Sequence, residues 1–186
     1  MIGIDSSLVA VQAAMVAARI GGFSQRASFI AADAAATGLR AQSVDAVMSV
    51  DALQLMPHRT AVIAEVARIL KAGGRFAFTT WVSRQVDAGP PFPVDYQPLL
   101  EAAGLVLEWC HEPPNWDRRE SAVFARIRES ADALRAELGE SVAAMLAAEA
   151  AKMPEAYPLI RRVNVAARKP ANQPLQPTSG GQAGVV

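Results

Sequence analysis

Two aspartates close apolar runs in this chain. Asp5 ends MIGID and Asp33 ends ASFIAAD, and each run reads as a short buried strand. In open α/β sheets, ligands gather at the carboxyl ends of the strands, so these positions come first as candidate sites. A carboxylate at Asp5 can accept both hydroxyl hydrogen bonds of a ribose, and charged acceptors make the stronger bonds. The same residue can instead help to cap the helix that follows, with Ser6 or Ser7 as partners. Asp33 reads equally well as a solvated loop aspartate. His58 and His111 are the two groups with ordinary pKa values near neutrality. They lie far apart in sequence with no local Cys/His partner, so no zinc spacing exists and no metal is expected. His58 reads as a surface residue at a helix start, and His111 as a partly exposed edge residue rather than a base. Cys110 reads as a small core residue, not a nucleophile. Trp81 and Trp116 either wall a pocket or simply pack.

Bulk numbers narrow the classes. The chain has 186 residues, 52% of them hydrophobic, enough for one domain with a real core. Lysine plus arginine number 18 and aspartate plus glutamate 18, so the net charge is zero. That balance argues against nucleic acid and against electrostatic docking to anionic membranes as partners. A single cysteine rules out an intrachain disulfide. No apolar run reaches the roughly 18 residues of a membrane span, and the N-terminus lacks a basic stretch. A cytoplasmic domain is the resulting expectation.

The elements that must position these groups alternate. A strand at Met1–Asp5 leads to a helix carrying Leu8, Val11, Met15 and Ala18, ended by Gly21-Gly22. A second strand at Ala27–Asp33 and a third at Ala46–Val50 follow. Pro57 starts the next helix. Tyr96, Leu99, Leu100 and Ala103 suggest a short helix closed by Gly104, and Leu105–His111 a strand. Val123, Ile127, Leu134 and Leu138 predict one amphipathic helix, and Val142, Met145, Leu146 and Met153 another. Val163–Ala167 predicts a last strand. The segment around Gly89, Pro90, Pro91, Phe92 and Pro93 reads as a turn-rich loop, and residues 170–186 as a polar, disordered tail. Strands alternating with helices imply βαβ units and a parallel sheet.

The most distinctive run is Glu65–Trp81, EVARILKAGGRFAFTTW. Val62, Val66, Ile69 and Leu70 keep one helical face. Lys71 is expected in the last turn, Gly73 and Gly74 are expected to stop the helix, and Arg75–Trp81 forms a strand. This run resembles the segment leading into the fifth strand of class I S-adenosylmethionine-dependent methyltransferases, the small type 11 group in particular. Ala72 stands where that family usually has proline.

The resemblance covers Met1–Trp81 strongly, Leu99–Trp109 and Val163–Lys169 moderately, and nothing between about Pro113 and Leu159. It implies an α/β, Rossmann-like methyltransferase sheet, mostly parallel with the last strand antiparallel. It implies S-adenosyl-L-methionine as cofactor. Asp5 and the adjacent Ser6 match the position that holds the ribose. Asp33 matches the aspartate facing the adenine amino group, and Ala34 supplies a backbone N–H near the ring. Ser49, Val50 and Leu53 match the turn beneath the methionine part, and Asp45 a structural position. No catalytic residue is assigned, because methyl transfer from a sulfonium needs no acid–base pair of its own. The family's first strand and its Gly-rich loop have no counterpart after Met1, so the chain reads as N-terminally truncated. Since that strand lies between the second and fourth in the family, the strands at Ile2 and Val47 are expected either to pair directly or to leave an edge exposed. Residues 1–169 are expected to form one methyltransferase-like domain, with a helical acceptor lid over residues 113–160.

Two functions compete on these residues. One is methyl transfer to a small-molecule acceptor, expected to be impaired in this chain by the missing Gly-rich loop. The other is a non-catalytic methyltransferase-like module used for packing or partner binding. A nucleotide-binding oxidoreductase shares the acidic residue after the second strand but leaves LKAGGRF and the Asp33 aspartate unexplained.

Overall fold

The structure is a computed structural model that describes residues 1–85 and 92–171. In chain order the elements are β1 (Ile2–Asp5), α1 (Leu8–Ile20), β2 (Ser28–Ala31), β3 (Val44–Val50), α2 (Arg59–Ile69) and β4 (Leu70–Ser83). They continue as α3 (Gln97–Ala102), β5 (Val106–His111), α4 (Trp116–Glu129), α5 (Ala131–Leu138), α6 (Glu140–Ala156) and β6 (Ile160–Arg168).

The sheet is α/β and comes in two hydrogen-bonded pieces. β1 and β2 pair in parallel, with Ile2 opposite Ser28 and Asp5 opposite Ala31. The other four strands run in the order β3-β4-β6-β5. β3 and β4 are parallel, and β6 is antiparallel to both β4 and β5. The mostly parallel sheet with an antiparallel last strand is therefore present. Of the two arrangements expected for the Ile2 and Val47 strands, the open one forms: among the described residues β1 does not pair with β3. Side chains that a continuous, covered sheet would shelter are left in solvent, Met48 at 77% and Val50 at 59% exposure. α1 shares this exposure. Its sequence is apolar nearly all round, a pattern typical of a buried helix, yet Val11 is its one buried residue.

Local chemistry explains the helix ends. Ser7 caps α1, its Oγ accepting the Ala10 N–H at 3.2 Å. Gly21 ends the helix through its N–H to the Ala17 carbonyl at 2.9 Å. The Gly73-Gly74 pair acts differently from the expected helix stop. α2 already ends at Ile69, and Leu70 takes an extended conformation. Lys71 therefore lies outside the helix and pairs with Asp45 at 2.7 Å, both exposed. Gly73 has φ +79° and donates its N–H to the Lys169 carbonyl at 2.9 Å. Gly74 lies so close to β3 that a Cβ would meet the Asp45 and Lys71 carbonyl oxygens at 2.9 Å. The glycines thus shape the irregular start of β4, where its register with β3 shifts between Val44 and Ala46. The single helix expected over Val123–Leu138 is broken at Ser130, whose N–H closes α4 on the Arg126 carbonyl.

The main core lies between the four-stranded sheet and helices α2 and α3. Leu53, Ile63, Leu70, Phe76, Leu100, Leu105 and Val163 are fully buried in it. Each such side chain stabilises the fold by about 1.5–3 kcal/mol through apolar burial. Phe76 stacks on Phe78 at 4.6 Å, and Phe78 meets the edge of Tyr96 at 5.2 Å. A second cluster of Trp81, Trp116 and Ile160, with Met153 and Tyr157 against it, fastens α4 and α6 to the ends of β4 and β6.

Candidate ligand-binding site at the strand ends

Asp5 is the last residue of β1 and Asp33 lies two positions beyond β2, at the carboxyl ends of two adjacent parallel strands. Both are exposed. Asp5 Oδ1 accepts the Ser7 N–H at 2.7 Å, which orients the carboxylate and helps start α1. Asp33 Oδ1 accepts the Ala35 N–H at 2.8 Å, and an isolated bridge joins Asp33 to Ala36. Each carboxylate is thus held in place through one oxygen, while Oδ2 makes no protein hydrogen bond among the described residues. Ser6 is exposed beside Asp5. Ala34 is half-buried and packs against the main core, fixing the backbone just after Asp33. Val50 ends β3 and is exposed; Ser49 beside it is half-buried, with an Oγ that has no hydrogen-bond partner among the described residues.

The segment after Asp33 is anchored at a distance. Thr37 is buried and bonds to Glu65 on α2. Arg68 completes the link by donating to both Glu65 and the Leu39 carbonyl. The guanidinium of Arg68, helped by Thr37, pushes the Glu65 carboxyl down to about 2 against the opposing effect of burial.

A polar cluster that sequence reasoning missed sits just past β3. Asp51 adopts φ +49°, which is uncommon for a residue other than glycine. Its N–H donates to Thr79 Oγ1 at 2.9 Å, and the Thr79 hydroxyl donates to Asp51 Oδ1 at 2.8 Å. Arg162 of β6 donates from Nη2 to Asp51 Oδ2, and its Nη1 lies 3.7 Å from Glu120 Oε1 on α4. Burial pushes the Glu120 carboxyl above its usual range, with Arg162 opposing and Asp51 and Glu149 adding to the rise. Asp51 had one legible signal, an aspartate directly after a strand-ending Val50. Arg162 and Glu120 had none, because their partners lie far away in sequence.

The remaining candidates divide. His58 is exposed at the start of α2, and His111 is exposed on the edge strand β5. Cys110 is exposed rather than in the core, since β5 is an edge strand. Its thiol is nonetheless pushed up, by partial burial first and then by Asp95, so it is a poor nucleophile. Trp81 and Trp116 meet edge-on at 5.3 Å and are both buried, so in this conformation they pack against each other rather than wall an open pocket. No group of three or more metal-ligating side chains forms among the described residues. No described helix is long and apolar enough to cross a membrane.

Comparison with known proteins gives this geometry a context. Residues 1–78 match the family model described as a methyltransferase domain. Aklanonic acid methyltransferase DauC from a Streptomyces strain is 35% identical over 100 residues, which cover 54% of this chain and 42% of that protein. The chain therefore spans less than half the length of the curated relative it matches. Among solved structures, the [4+2]-cyclase SpnF aligns with a TM-score of 0.74 and 24% identity, covering 91% of this chain and 66% of the other. Phosphoethanolamine N-methyltransferase 2 from Haemonchus contortus, solved with S-adenosyl-L-methionine, aligns with a TM-score of 0.72 and 16% identity, covering 91% of this chain and 43% of that one. Both structural likenesses place the chain in the Rossmann-like methyltransferase fold, a scaffold that in SpnF serves a protein named as a cyclase.

Proposed function

We propose that this chain, in which residues 1–78 carry the sequence pattern of the methyltransferase-domain family, takes part in methyl transfer from S-adenosyl-L-methionine to a small-molecule acceptor. The observation that carries this reading is the pair of strand-end aspartates, each oriented through one carboxylate oxygen with the other left free.

The donor set fits the cofactor. Asp5, with Ser6 beside it, offers a charged acceptor for the two ribose hydroxyls. Asp33 offers one to the adenine amino group, and the backbone after it, fixed by Ala34 packing on the core, lies where the ring edge would be read. Val50 and the turn after β3 would lie under the methionine part. The bound sulfonium supplies a methyl group that is already activated. The chain's own work is then to orient the reactants and exclude water, and orientation alone is worth about 7–11 kcal/mol. A base is needed only for an acceptor that must lose a proton. Residues 1–169 act as one methyltransferase-like domain in this reading, and the helices within residues 113–160 cover the acceptor. The tail proposed for residues 170–186 lies mostly outside the described residues. A cytoplasmic location is part of the same reading.

Calorimetric titration with S-adenosylhomocysteine tests it. The wild-type chain binds in the micromolar range, Asp5→Ala abolishes binding, and Asp5→Asn, which keeps the oxygen that orients Ser7, weakens it. Absence of binding at millimolar ligand overturns the reading. The second reading, a non-catalytic module for partner binding, is favoured by one observation, the exposed apolar side chains of α1.

A further inference from the structure

We propose that Arg162 is a positioning residue that ties the turn after β3 to helix α4, so that one cation holds both the strand end facing the cofactor and the helix covering the acceptor. The functional consequence rests on the methyl-transfer reading; the tie itself does not.

The guanidinium is fixed before it meets either carboxylate. Arg162 lies directly opposite Trp81 in the β4–β6 ladder, and its Cζ sits 5.9 Å from the centre of the Trp81 ring. From there its two terminal nitrogens point to different elements. Nη2 reaches Asp51 after β3, and Nη1 faces Glu120 on α4. A planar fork can serve two carboxylates at once; a lysine ammonium on a flexible stem is a single point charge. The side chains of Arg162 and Glu120 are 25% and 19% exposed, sheltered enough that removing one partner costs more than it would in an ordinary surface pair.

Both ends need this hold. Asp51 sits in a left-handed conformation that non-glycine residues enter at a cost, and Thr79 and Arg162 together hold both of its carboxylate oxygens. Glu120 is the more dependent partner. Its Oε2 is buried without a hydrogen bond among the described residues; burial first, then Asp51 and Glu149, disfavour its charge, and among the described residues Arg162 opposes them. Helix α4 otherwise reaches the sheet ends through the packing of Trp116 on Trp81. Losing the guanidinium would therefore loosen two segments far apart in the sequence, the turn after β3 and α4.

Hydrogen exchange by mass spectrometry on the ligand-free chain tests the tie. Arg162→Met keeps the apolar stem over Trp81 and removes the fork. It is expected to speed exchange about tenfold in both the Asp51–Met56 turn and α4, while α2 stays protected. Glu120→Gln speeds exchange in α4 alone. Arg162→Lys restores protection at the Asp51 turn and leaves α4 loose. Release of only one segment by Arg162→Met overturns the proposal, and so does an even rise that includes α2, which would mark a general loss of stability. Titration of the same wild-type sample with S-adenosylhomocysteine separates the two claims: failure to bind overturns the methyl-transfer reading, and the exchange pattern is read without ligand.

Discussion

Thr37 donates two hydrogen bonds to a single oxygen of Glu65, from its N–H at 3.0 Å and from its hydroxyl at 2.5 Å, across 28 positions of sequence. The contact pins the segment after Asp33 to α2. It explains how an exposed strand-end aspartate can be held by a rigid backbone.

Glu65 makes this anchor sensitive to pH. Its folded pKa is about 2, against an ordinary 4.5, with Arg68 as the largest cause. Since the folded value is the lower one, the stabilisation is present above about pH 4.5 and is lost as the pH falls toward 2. It amounts to roughly 1–2 kcal/mol after allowance for solvent around the half-exposed Arg68. Urea unfolding at pH 7 and at pH 3 should show this loss in the wild type and a smaller one in Glu65→Gln.

The two glycines at the start of β4 should differ in how they fail. Gly73 has open space around it but φ +79°, so Gly73→Ala should cost about 1–2 kcal/mol and Gly73→Asn less. Gly74→Ala would drive a methyl group to 2.9 Å from two backbone oxygens. The strand must move away from β3, so the second substitution should lower the melting temperature more than the first. Differential scanning calorimetry of the three variants checks the order.

The open edges predict self-association of the isolated chain. Met48 and Val50 on β3 and Ile2 on β1 expose apolar side chains beside strand edges that lack partners among the described residues. Lysine at position 48 or 50 should shift sedimentation profiles toward the monomer without changing the far-ultraviolet dichroism. An unchanged distribution would show that these strands are not the point of contact.

Trp116 should be the residue on which the attachment of helices α4 to α6 depends most. It packs edge-on to Trp81 at 5.3 Å and to Tyr157 at 5.1 Å, and donates its Nε1–H to Glu112 at 2.8 Å. Trp116→Ala removes all three contacts at a cost of about 3–5 kcal/mol. Limited proteolysis should then cut within α4 to α6 well before it cuts the β3-β4-β6-β5 sheet.

The sequence alone determined the repeating parts. Apolar runs of strand length, the helical spacing through Val62, Val66 and Ile69, and the Ser7 and Gly21 caps are local, because each depends on neighbours within a few positions. Asp5 and Asp33 were legible for the same reason, as each closes an apolar run of strand length, although in the fold those runs are at most half-buried. Tertiary structure decided what depends on distant partners. It moved the role of Gly73-Gly74 from ending α2 to shaping β4, because Asp45 and Lys169 come within reach only in the folded sheet. It placed Cys110 in the open by putting β5 at an edge. It also brought Asp51, Thr79, Glu120 and Arg162 together, the outer pair of contacts spanning 111 positions. No periodicity encodes such a cluster: a charge pair across a sheet is set by strand order and register, and those are properties of the whole fold.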